Sequence, residues 1–318
     1  MSLIKMQDNP EISVVIPCYN EEKNVEAIAS AVIQQLSPLG LSFDIIFIDN
    51  DSSDNTVPLL REMCSKNPNI RLIINTRNFG QMRSPTHAIY QARGEGVIGM
   101  CADFQDPPEL LPEFVAAWKN GDDIVLGVRD VEQNAGLIKR GFRQLSYWAA
   151  RNFSDYPIIP NATGFGLYDQ KVVRATRDLA EPEPFFRGML VETGFRVTTI
   201  SYSRPERAAG DSKNNFFTLL DFAMSSLAGS SKRLLRVPLY FGFLGALMSL
   251  IMVIGGLFSY LLDGPVAGWF IAAFVQAQLS LLFGFLGLVG DNLRIVSERT
   301  RKTPLVLERE RVNFPPDC

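Results

Sequence analysis

Short apolar runs alternate with amphipathic segments over the first 130 residues of the chain. The apolar runs have the length of β-strands and cover residues 12–16, 44–48, 71–75, 96–101 and 124–127. The segments between them carry apolar residues at helical spacing, over residues 20–36, 56–64, 85–92 and 108–118. Asn20 is placed to cap the first of these helices. This alternation predicts an α/β fold, with a mostly parallel sheet and helices on both faces.

Two long uncharged runs follow near the C-terminus. Residues 237–262 and residues 266–290 contain no charged side chain, and Asp263, Gly264 and Pro265 join them. At a rise of ~1.5 Å per residue, either helix can cross a hydrocarbon core of about 30 Å. A buried hairpin in a globular domain is the alternative, but a helix in such a domain rarely needs so many consecutive apolar residues. The pattern therefore predicts two C-terminal transmembrane helices.

Basic residues on both sides of this hairpin predict its orientation. Lys232, Arg233 and Arg236 precede the first run, and four basic residues follow the second within twelve residues or so: Arg294, Arg299, Arg301 and Lys302. Positive charge stays on the cytoplasmic side, so both termini are expected there, in an integral protein of the inner (plasma) membrane. The polar first 11 residues imply no export of the large domain.

The same patterns divide the chain into four parts. Residues 1–213 form a predicted cytoplasmic catalytic domain, and residues 237–290 form the hairpin. Between them, residues 214–236 have apolar residues at helical spacing and a basic end, which suits an amphipathic juxtamembrane helix in the lipid interface. An ordinary helix packed on the catalytic domain fits that segment equally well. Residues 291–318 are predicted to be a cytoplasmic tail.

Charge and cysteine content exclude several classes of function. The chain of 318 residues has a net charge of −3, which argues against a nucleic-acid partner. Its four cysteines are too far apart in sequence for a CxxC site, and reduced thiols are expected in a cytoplasmic domain.

Carboxylates collect where the predicted parallel strands end. The first strand is followed by PCYNE at 17–21, the second by DNDSSD at 49–54, and the fourth by DFQDPPE at 103–109. Ligands of such sheets bind at the carboxyl ends of the strands. These loops lack the glycine-rich patterns of Rossmann and P-loop proteins, and their carboxylates suit a divalent cation shared with a diphosphate.

Three motifs together carry a resemblance to a known family. ISVVIPCYNEE, IDNDSSDNT and ADFQDPPE, in this order and spacing, resemble the family 2 glycosyltransferases, which have the nucleotide-sugar-binding GT-A fold. With the two C-terminal runs, the chain resembles the bacterial polyisoprenyl-phosphate glycosyltransferases and, more distantly, dolichol-phosphate mannose synthase. The resemblance covers roughly residues 12–235 and the architecture of the hairpin. Because related enzymes are oligomers, it also implies a homo-oligomer.

The resemblance assigns nucleotide-binding roles to four residues. Pro17, Tyr19 and Glu21 match the loop under the nucleoside, and Asp49 matches the acid that accepts a hydrogen bond from the base. Asp49 could instead be a turn residue, and Asp54 could be the residue that starts the next helix.

The resemblance also assigns a metal site and phosphate contacts. Asp103 matches the metal-binding acid of the DxD motif, and Gln105 joins it near Mg²⁺ or Mn²⁺. Arg129 matches an arginine aimed at phosphate, and Arg140 is a second candidate for that role. Arg77 either contacts phosphate or belongs only to its turn.

Other residues of these segments have structural interpretations. Asp106 and Glu109 are expected to start the next helix, with a proline in its first turn. His87, the only histidine, is expected to be structural because it lies within a helical pattern.

The chain departs from the family pattern at several positions. Cys101 replaces the first acid of DxD, and a thiol is a poor ligand for Mg²⁺ or Mn²⁺. Asn50 replaces the second acid of the DDGS pattern. Gly166 stands where relatives carry an arginine, so the resemblance leaves open how the acceptor phosphate is held. Arg207 and Lys213, near the expected membrane surface, are candidates for that contact.

These observations predict a metal-dependent enzyme of cell-envelope polysaccharide synthesis. It would transfer a sugar with inversion from a nucleotide sugar, with uridine favoured, to polyprenyl phosphate at the cytoplasmic membrane face. A phosphate acceptor needs no general base, and no clear base is present: Gly164 replaces the acid of relatives, and Asp155 and Asp169 are unsupported. Two alternatives stay open, an enzyme that extends a lipid-linked glycan at a sugar hydroxyl and a non-catalytic membrane scaffold.

Overall fold

The structure is a computed structural model that describes residues 9–130, 159, 161–181, 184–203 and 304–315, with isolated helical positions between 268 and 300. The strands and helices reported below belong to one compact unit, Met1–Gln144, Tyr156–Asn214 and Lys302–Cys318. A second unit comprises Leu145–Asp155 and Asn215–Arg301.

Eight strands form one sheet in the first unit. They are β1 (Ile12–Cys18), β2 (Phe43–Asp49), β3 (Ile70–Asn75), β4 (Gly96–Gly99), β5 (Ile124–Arg129), β6 (Ala162–Asp169), β7 (Val197–Tyr202) and β8 (Glu308–Val312). Their order across the sheet is β7-β5-β6-β4-β1-β2-β3-β8. The pairs β1–β2, β1–β4, β2–β3 and β5–β7 are parallel, whereas β6 and β8 run antiparallel to their neighbours. The predicted α/β fold with a mostly parallel sheet is confirmed.

In the described part of the chain, six α-helices lie between these strands. They are α1 (Val25–Leu36), α2 (Thr56–Lys66), α3 (Gly80–Gln91), α4 (Leu111–Lys119), α5 (Gln170–Asp178) and α6 (Phe186–Glu192). Short 3₁₀ turns lie at Ser37–Leu39 and Pro108–Leu110.

The central strands are apolar on both faces because both faces are covered. Val14 and Val15 are consecutive in β1, so their side chains point to opposite faces, and both are buried. Val14 belongs to the apolar cluster that includes α1 and α4, and Val15 to the cluster that includes α3 and α5. This explains why the strands appear in the sequence as continuous apolar runs rather than as alternating ones.

Two predicted helix starts are wrong. Asn20 does not cap α1, because its backbone has a φ of 58° and its side-chain oxygen accepts a hydrogen bond from the Ser53 amide. The helix begins at Val25 instead. Helix α3 begins at Gly80 rather than at Pro85, which lies inside it. The carbonyl that loses its partner there belongs to Gln81, which is exposed, so solvent can satisfy it.

Strand β8 was not predicted from the sequence. Its residues, ERERV, are mostly charged and lack the apolar run that marked the other strands. It pairs antiparallel with β3, with Leu72 opposite Val312 and Asn75 opposite Glu308. A short, charged strand at the edge of a sheet is a common natural arrangement, because charge discourages further strand addition.

Several predicted features lie outside the described residues. These are the segment 214–236, nearly all of the runs 237–262 and 266–290, and the candidate phosphate contacts Arg140, Arg207 and Lys213. In the part of the chain that is described, no helix has both the length and the apolar character needed to span a membrane.

Candidate functional site

The loops that follow β1, β2 and β4 lie side by side at one edge of the sheet. The parallel register places Cys18 opposite Asp49, and the Asn50 amide donates a hydrogen bond of 2.9 Å to the Cys18 carbonyl. On the other side of β1, the Met100 amide donates to the Val15 carbonyl at 3.1 Å. The three acidic loops predicted from the sequence therefore meet at this edge.

Asp49 ends β2 and is completely buried. Its Oδ2 accepts hydrogen bonds from the amides of Asp51 at 3.1 Å and Ser52 at 3.0 Å, which closes the turn. Its Oδ1 has no hydrogen-bond partner within the described residues. Burial raises the pKa of the Asp49 carboxyl, and hydrogen bonds from Ser52 and Asp51 partly oppose this. A buried acceptor without a donor costs free energy. A ligand N–H that reaches Oδ1 would remove this cost.

The loop after β1 is fixed to the loop after β2. The Glu21 amide donates to the Thr56 hydroxyl at 2.8 Å, and the Asn20 amide donates to the Ser52 hydroxyl at 2.9 Å. Tyr19 lies directly before these two anchored residues and is 41% exposed. Pro17 pairs with Ile48 in the register of β1 and β2 and sets the start of this loop. The structure thus brings Pro17, Tyr19 and Glu21 together beside Asp49.

Asp54 has the structural role that the sequence suggested. Its Oδ1 accepts hydrogen bonds from the amide and the hydroxyl of Thr56, the first residue of α2. Its Oδ2 accepts from the Glu22 amide at 3.2 Å. Burial alone would raise the pKa of Asp54, but the hydrogen bonds from Thr56 and Glu22 outweigh it and lower the pKa.

Asn50 links β2 to the turn after β3. Its Oδ1 accepts hydrogen bonds from the Phe79 amide at 2.9 Å and from Asn75 Nδ2 at 3.1 Å, and its Nδ2 donates to Asn78 Oδ1 at 2.9 Å. These bonds need both a donor and an acceptor on one side chain, which a carboxylate cannot provide. The amide that replaces the usual acid therefore has a structural role.

The loop after β4 holds two buried carboxylates with different roles. Asp103 is 6% exposed, and its Oδ1 accepts a hydrogen bond from the Gln105 amide at 3.2 Å. Asp106 points the other way: its Oδ2 accepts from the Cys101 amide at 3.0 Å and its Oδ1 from the Tyr202 hydroxyl at 3.1 Å. Burial raises the pKa of Asp106. Its hydrogen bonds and the charge of Arg129 lower that pKa, but by less than burial raises it.

The predicted role of Asp106 as a helix-start residue is therefore wrong. The 3₁₀ turn Pro108–Leu110 begins after Pro107, and the Asp106 side chain does not cap it. The Asp106 carboxylate instead fastens the acidic loop to β7. Glu109 does lie in the first turn, as predicted.

Arg129 ends β5 and lies beside this loop. Its Nε donates to the Tyr202 oxygen at 3.3 Å, and its terminal nitrogen lies 3.8 Å from Asp106 Oδ1. The side chain is 24% exposed, so part of the guanidinium faces solvent. The sequence predicted Arg129 here, but it gave no signal for Tyr202, which a parallel pairing with β5 brings opposite Arg129.

Asp103 is the candidate cation ligand of the acidic loop. The described residues contain no group of three His, Cys, Asp or Glu side chains placed to hold a metal. Asp106 is engaged by Tyr202, and Cys101 is exposed but carries a soft sulfur. Asp103 with Gln105 fits Mg²⁺ or Mn²⁺ only as one protein carboxylate in a shell completed by diphosphate and water, which is usual for Mg²⁺.

Two other positions have clear structural explanations. A Cβ on Gly166 would overlap the carbonyl oxygen of Val125 in the neighbouring strand, so β6 has no room for the family's arginine there.

Asp169 caps α5 by accepting from the Lys171 amide at 2.9 Å and also accepts from Trp118 Nε1. Its register partner is Gly96 at the start of β4, so Asp169 lies at the opposite end of β4 from the acidic loop and is not a candidate base.

His87 and Arg77 also lie in structural contacts. His87 Nε2 lies 2.5 Å from Glu308 Oε1, which agrees with the structural role predicted for the histidine. Arg77 stacks over the Phe79 ring at 4.0 Å and donates to the Asn78 carbonyl, so it is engaged within its own turn.

Comparisons with known proteins agree with these motifs. Residues 13–175 match the model of the family "Glycosyl transferase family 2". An uncharacterized glycosyltransferase of Synechocystis sp. is 32% identical over 304 residues, which cover 93% of this chain and 94% of that protein. A bactoprenol glucosyl transferase of Shigella phage SfV is 29% identical, over 95% of this chain and 99% of that protein.

One similar solved structure is more distant in sequence. A mannosyltransferase from Pyrobaculum calidifontis aligns over 92% of this chain and 87% of that one, with 16% identity and a TM-score of 0.45. A likeness at that level carries no argument about ligands or chemistry.

Proposed function

The chain belongs to glycosyl transferase family 2, and we propose that it transfers a sugar from a nucleotide sugar to polyprenyl phosphate. The observation that carries the chemistry is the position of Arg129, whose terminal nitrogen lies 3.8 Å from a carboxylate of the acidic loop. The similarity to a bactoprenol glucosyl transferase over nearly its whole length supports a lipid carrier as the acceptor. The product would serve the synthesis of a cell-envelope polysaccharide.

The donor nucleoside binds between the first two loops. Asp49 Oδ1 accepts the N–H of the base, and the exposed ring of Tyr19 provides an apolar surface beside it. A base with such an N–H favours a uridine nucleotide as the donor. Pro17 and Glu21 hold the loop that carries Tyr19, since the Glu21 amide is bonded to Thr56.

The diphosphate lies over the loop after β4. Asp103 and Gln105 would hold Mg²⁺ or Mn²⁺, which neutralises negative charge on a diphosphate when it is bound. Arg129 faces the same charge from β5, and a positioned guanidinium stabilises charge that develops on a leaving group. Transfer with inversion follows from a single displacement by the acceptor on the face opposite the diphosphate.

The acceptor phosphate needs no general base. A phosphate monoester is already ionised at pH 7, whereas a sugar hydroxyl must lose a proton. Asp169, one of the two carboxylates considered as a base, is bonded to Lys171 and Trp118 at the other end of the sheet. Arg140, Arg207 and Lys213 are the proposed contacts of the lipid phosphate, and they lie outside the described residues.

The proposal places the reaction at the cytoplasmic face of the inner membrane. Runs 237–262 and 266–290 would form a two-helix anchor with both termini in the cytoplasm, because basic residues flank both ends of the hairpin. Small residues four apart in the first run, such as Gly242 and Ala246, would let anchors pack into a homo-oligomer.

A donor panel tests the proposal. Membranes that contain the full chain are incubated with radiolabelled nucleotide sugars and Mn²⁺ or Mg²⁺, and lipids are then extracted. Label is expected in the lipid fraction, with a linkage that mild acid cleaves, as a sugar phosphate requires. Acid-stable labelled lipid would show a hydroxyl acceptor instead. If no donor gave transfer with either metal, the proposed enzymatic activity would be contradicted.

A further inference from the structure

Strand β8 extends the catalytic sheet from a distant part of the chain. It lies well beyond residues 13–175, which match the family model, yet it completes the edge next to β3. The Thr76 amide donates to the Leu307 carbonyl at 2.9 Å, immediately before the strand. After the strand, Asn313 Nδ2 donates to the carbonyls of Cys64 and Ile70, both at 2.8 Å. The strand is thus fixed at both of its ends.

Arg309 in this strand lies beside the turn that carries Asp49. A terminal nitrogen of Arg309 is 4.0 Å from Asp51 Oδ1, and the Asp51 amide donates to Asp49 Oδ2. The positive charge of Arg309 also lowers the pKa of Asp49, although burial has the larger and opposite effect. The guanidinium is half-exposed, so its remaining donors are open to a ligand.

The other arginines near this edge are already engaged. Arg61 pairs with Glu310, and Arg311 pairs with Glu308 and donates to Gln91. Arg83 donates to the carbonyl of Pro304. Arg309 has only the loose contact with Asp51 among the residues that the structure describes, and this leaves its fork of donors for recognition.

We propose that Arg309 and Asp49 together recognise the base of the donor nucleotide. Asp49 Oδ1 accepts the ring N–H, and Arg309 donates to the carbonyl oxygen next to it. Uracil and guanine present an N–H beside a carbonyl, whereas cytosine and adenine present a ring acceptor beside an amino group, so the pair excludes the latter two. The proposal rests on the nucleotide-sugar donor proposed above and adds a specificity residue from outside the matched family region.

Equilibrium binding of nucleoside diphosphates tests this role. The full chain in detergent is titrated with UDP, GDP, CDP and ADP by calorimetry, as wild type and as Arg309→Ala. The wild type should bind UDP or GDP more tightly than CDP and ADP. Arg309→Ala should weaken binding of the preferred nucleotide by roughly tenfold, about the effect of losing one hydrogen bond to a charged group, and leave the other two unchanged.

Arg61→Ala is the matched control. Arg61 contacts the same strand through Glu310 but lies on α2, so its loss should change the affinity by less than about twofold. Arg309→Met, which keeps the apolar stem in the strand, is a second variant if the alanine form does not fold. It should show the same loss as Arg309→Ala.

Several outcomes would overturn the role of Arg309. The wild type could fail to discriminate among the four bases, or the variants could lose affinity for all four equally or lose none. A loss seen with UDP but absent with UMP would place Arg309 on the β-phosphate and would also reject the proposal. A wild type that binds no nucleotide would instead contradict the proposed function itself.

Discussion

The hydroxyl of Tyr202 donates a hydrogen bond of 3.1 Å to the buried carboxylate of Asp106 and accepts one of 3.3 Å from Arg129. One phenol thereby connects the loop after β4 with the arginine at the end of β5. Its ring packs edge-to-face on Phe165, with the centroids 5.6 Å apart, so the hydroxyl cannot easily shift. The geometry of the acidic loop and of Arg129 therefore depends on a residue that touches neither nucleotide nor metal in the proposed reaction.

Tyr202→Phe should lower both stability and turnover. Removing the hydroxyl leaves a buried carboxylate oxygen short of a donor, which costs about 1–3 kcal/mol of unfolding free energy. Because Arg129 also loses its anchor, kcat should fall roughly tenfold, equivalent to 1.4 kcal/mol of barrier. Denaturant unfolding and lipid-transfer kinetics would measure the two effects.

Tyr90→Phe is the control for Tyr202. The Tyr90 hydroxyl donates to the Thr176 carbonyl at 3.1 Å, between α3 and α5 and away from the acidic loop. Its loss should reduce stability and leave kcat unchanged. Equal kcat in both variants would show that Tyr202 does not position the site.

Local patterns in the sequence were sufficient to predict the central sheet and its acidic loops. Strands β1 to β5 are short apolar runs. Asp49 and Arg129 end β2 and β5, and Asp103 lies in the loop that follows β4. Asp106, by contrast, looked like a helix-start residue because it precedes two prolines. Its actual partner is Tyr202, and no local pattern can show a contact between residues so far apart in sequence.

The C-terminal strand shows a second feature that local sequence patterns could not predict. Glu308–Val312 is hydrophilic, and it forms a strand because β3 offers it an open edge and because Asn313 and Thr76 bond the adjoining backbone. Tertiary pairing, rather than intrinsic preference, decides such a segment. The same holds for Gly166, whose missing side chain is explained by the close approach of Val125.

Asp103→Asn should abolish sugar transfer while the fold is kept. The change removes the carboxylate proposed to bind the divalent cation, and with it the negative charge that would hold that cation. Transfer to lipid should fall by more than tenfold, or 1.4 kcal/mol of barrier. Glu109→Gln, an exposed change in the following turn, should leave the rate unaltered. An Asp103→Asn enzyme that keeps more than about a tenth of the rate would reject the metal role.

Cys101→Asp should lower the concentration of Mg²⁺ or Mn²⁺ that gives half-maximal activity. The residue is exposed at the start of the acidic loop, and an aspartate there would supply a second hard oxygen ligand near Asp103. Cys101→Ser is the control, since it removes the sulfur without adding charge. An unchanged or higher metal requirement in the aspartate variant would place residue 101 away from the metal.

Gly166→Ala should destabilise the domain more than Gly99→Ala. The two glycines are register partners in β6 and β4. A Cβ at Gly166 overlaps the Val125 carbonyl, whereas a Cβ at Gly99 would lie 3.3 Å from the Gly164 carbonyl. Overpacking of this kind costs about 1–3 kcal/mol, and the cost should be at the upper end for Gly166. Similar unfolding free energies for the two variants would contradict the packing of β6 on β5.

Acid should weaken the attachment of β8 through Glu308. Burial alone would raise the pKa of this carboxyl, but hydrogen bonds from His87 and Arg311 outweigh it and lower the pKa to about 2. A lowered pKa stabilises the folded form above the pKa of the unfolded chain, and this stability disappears as pH falls toward 2. Glu308→Gln should therefore lower the unfolding free energy at pH 7 and reduce its slope between pH 5 and 2.

Glu310→Gln provides the comparison for Glu308, because Glu310 pairs with Arg61 at a more exposed position of the same strand. Exposed ion pairs contribute little, so this variant should retain nearly the wild-type pH profile. Hydrogen exchange of the β3 amides that pair with β8 would locate the effect. Faster exchange is expected there in Glu308→Gln at pH 7, while the amides between β1 and β2 stay protected. Uniform loss of protection across the sheet would mean that Glu308 supports the whole domain rather than the attachment of its last strand.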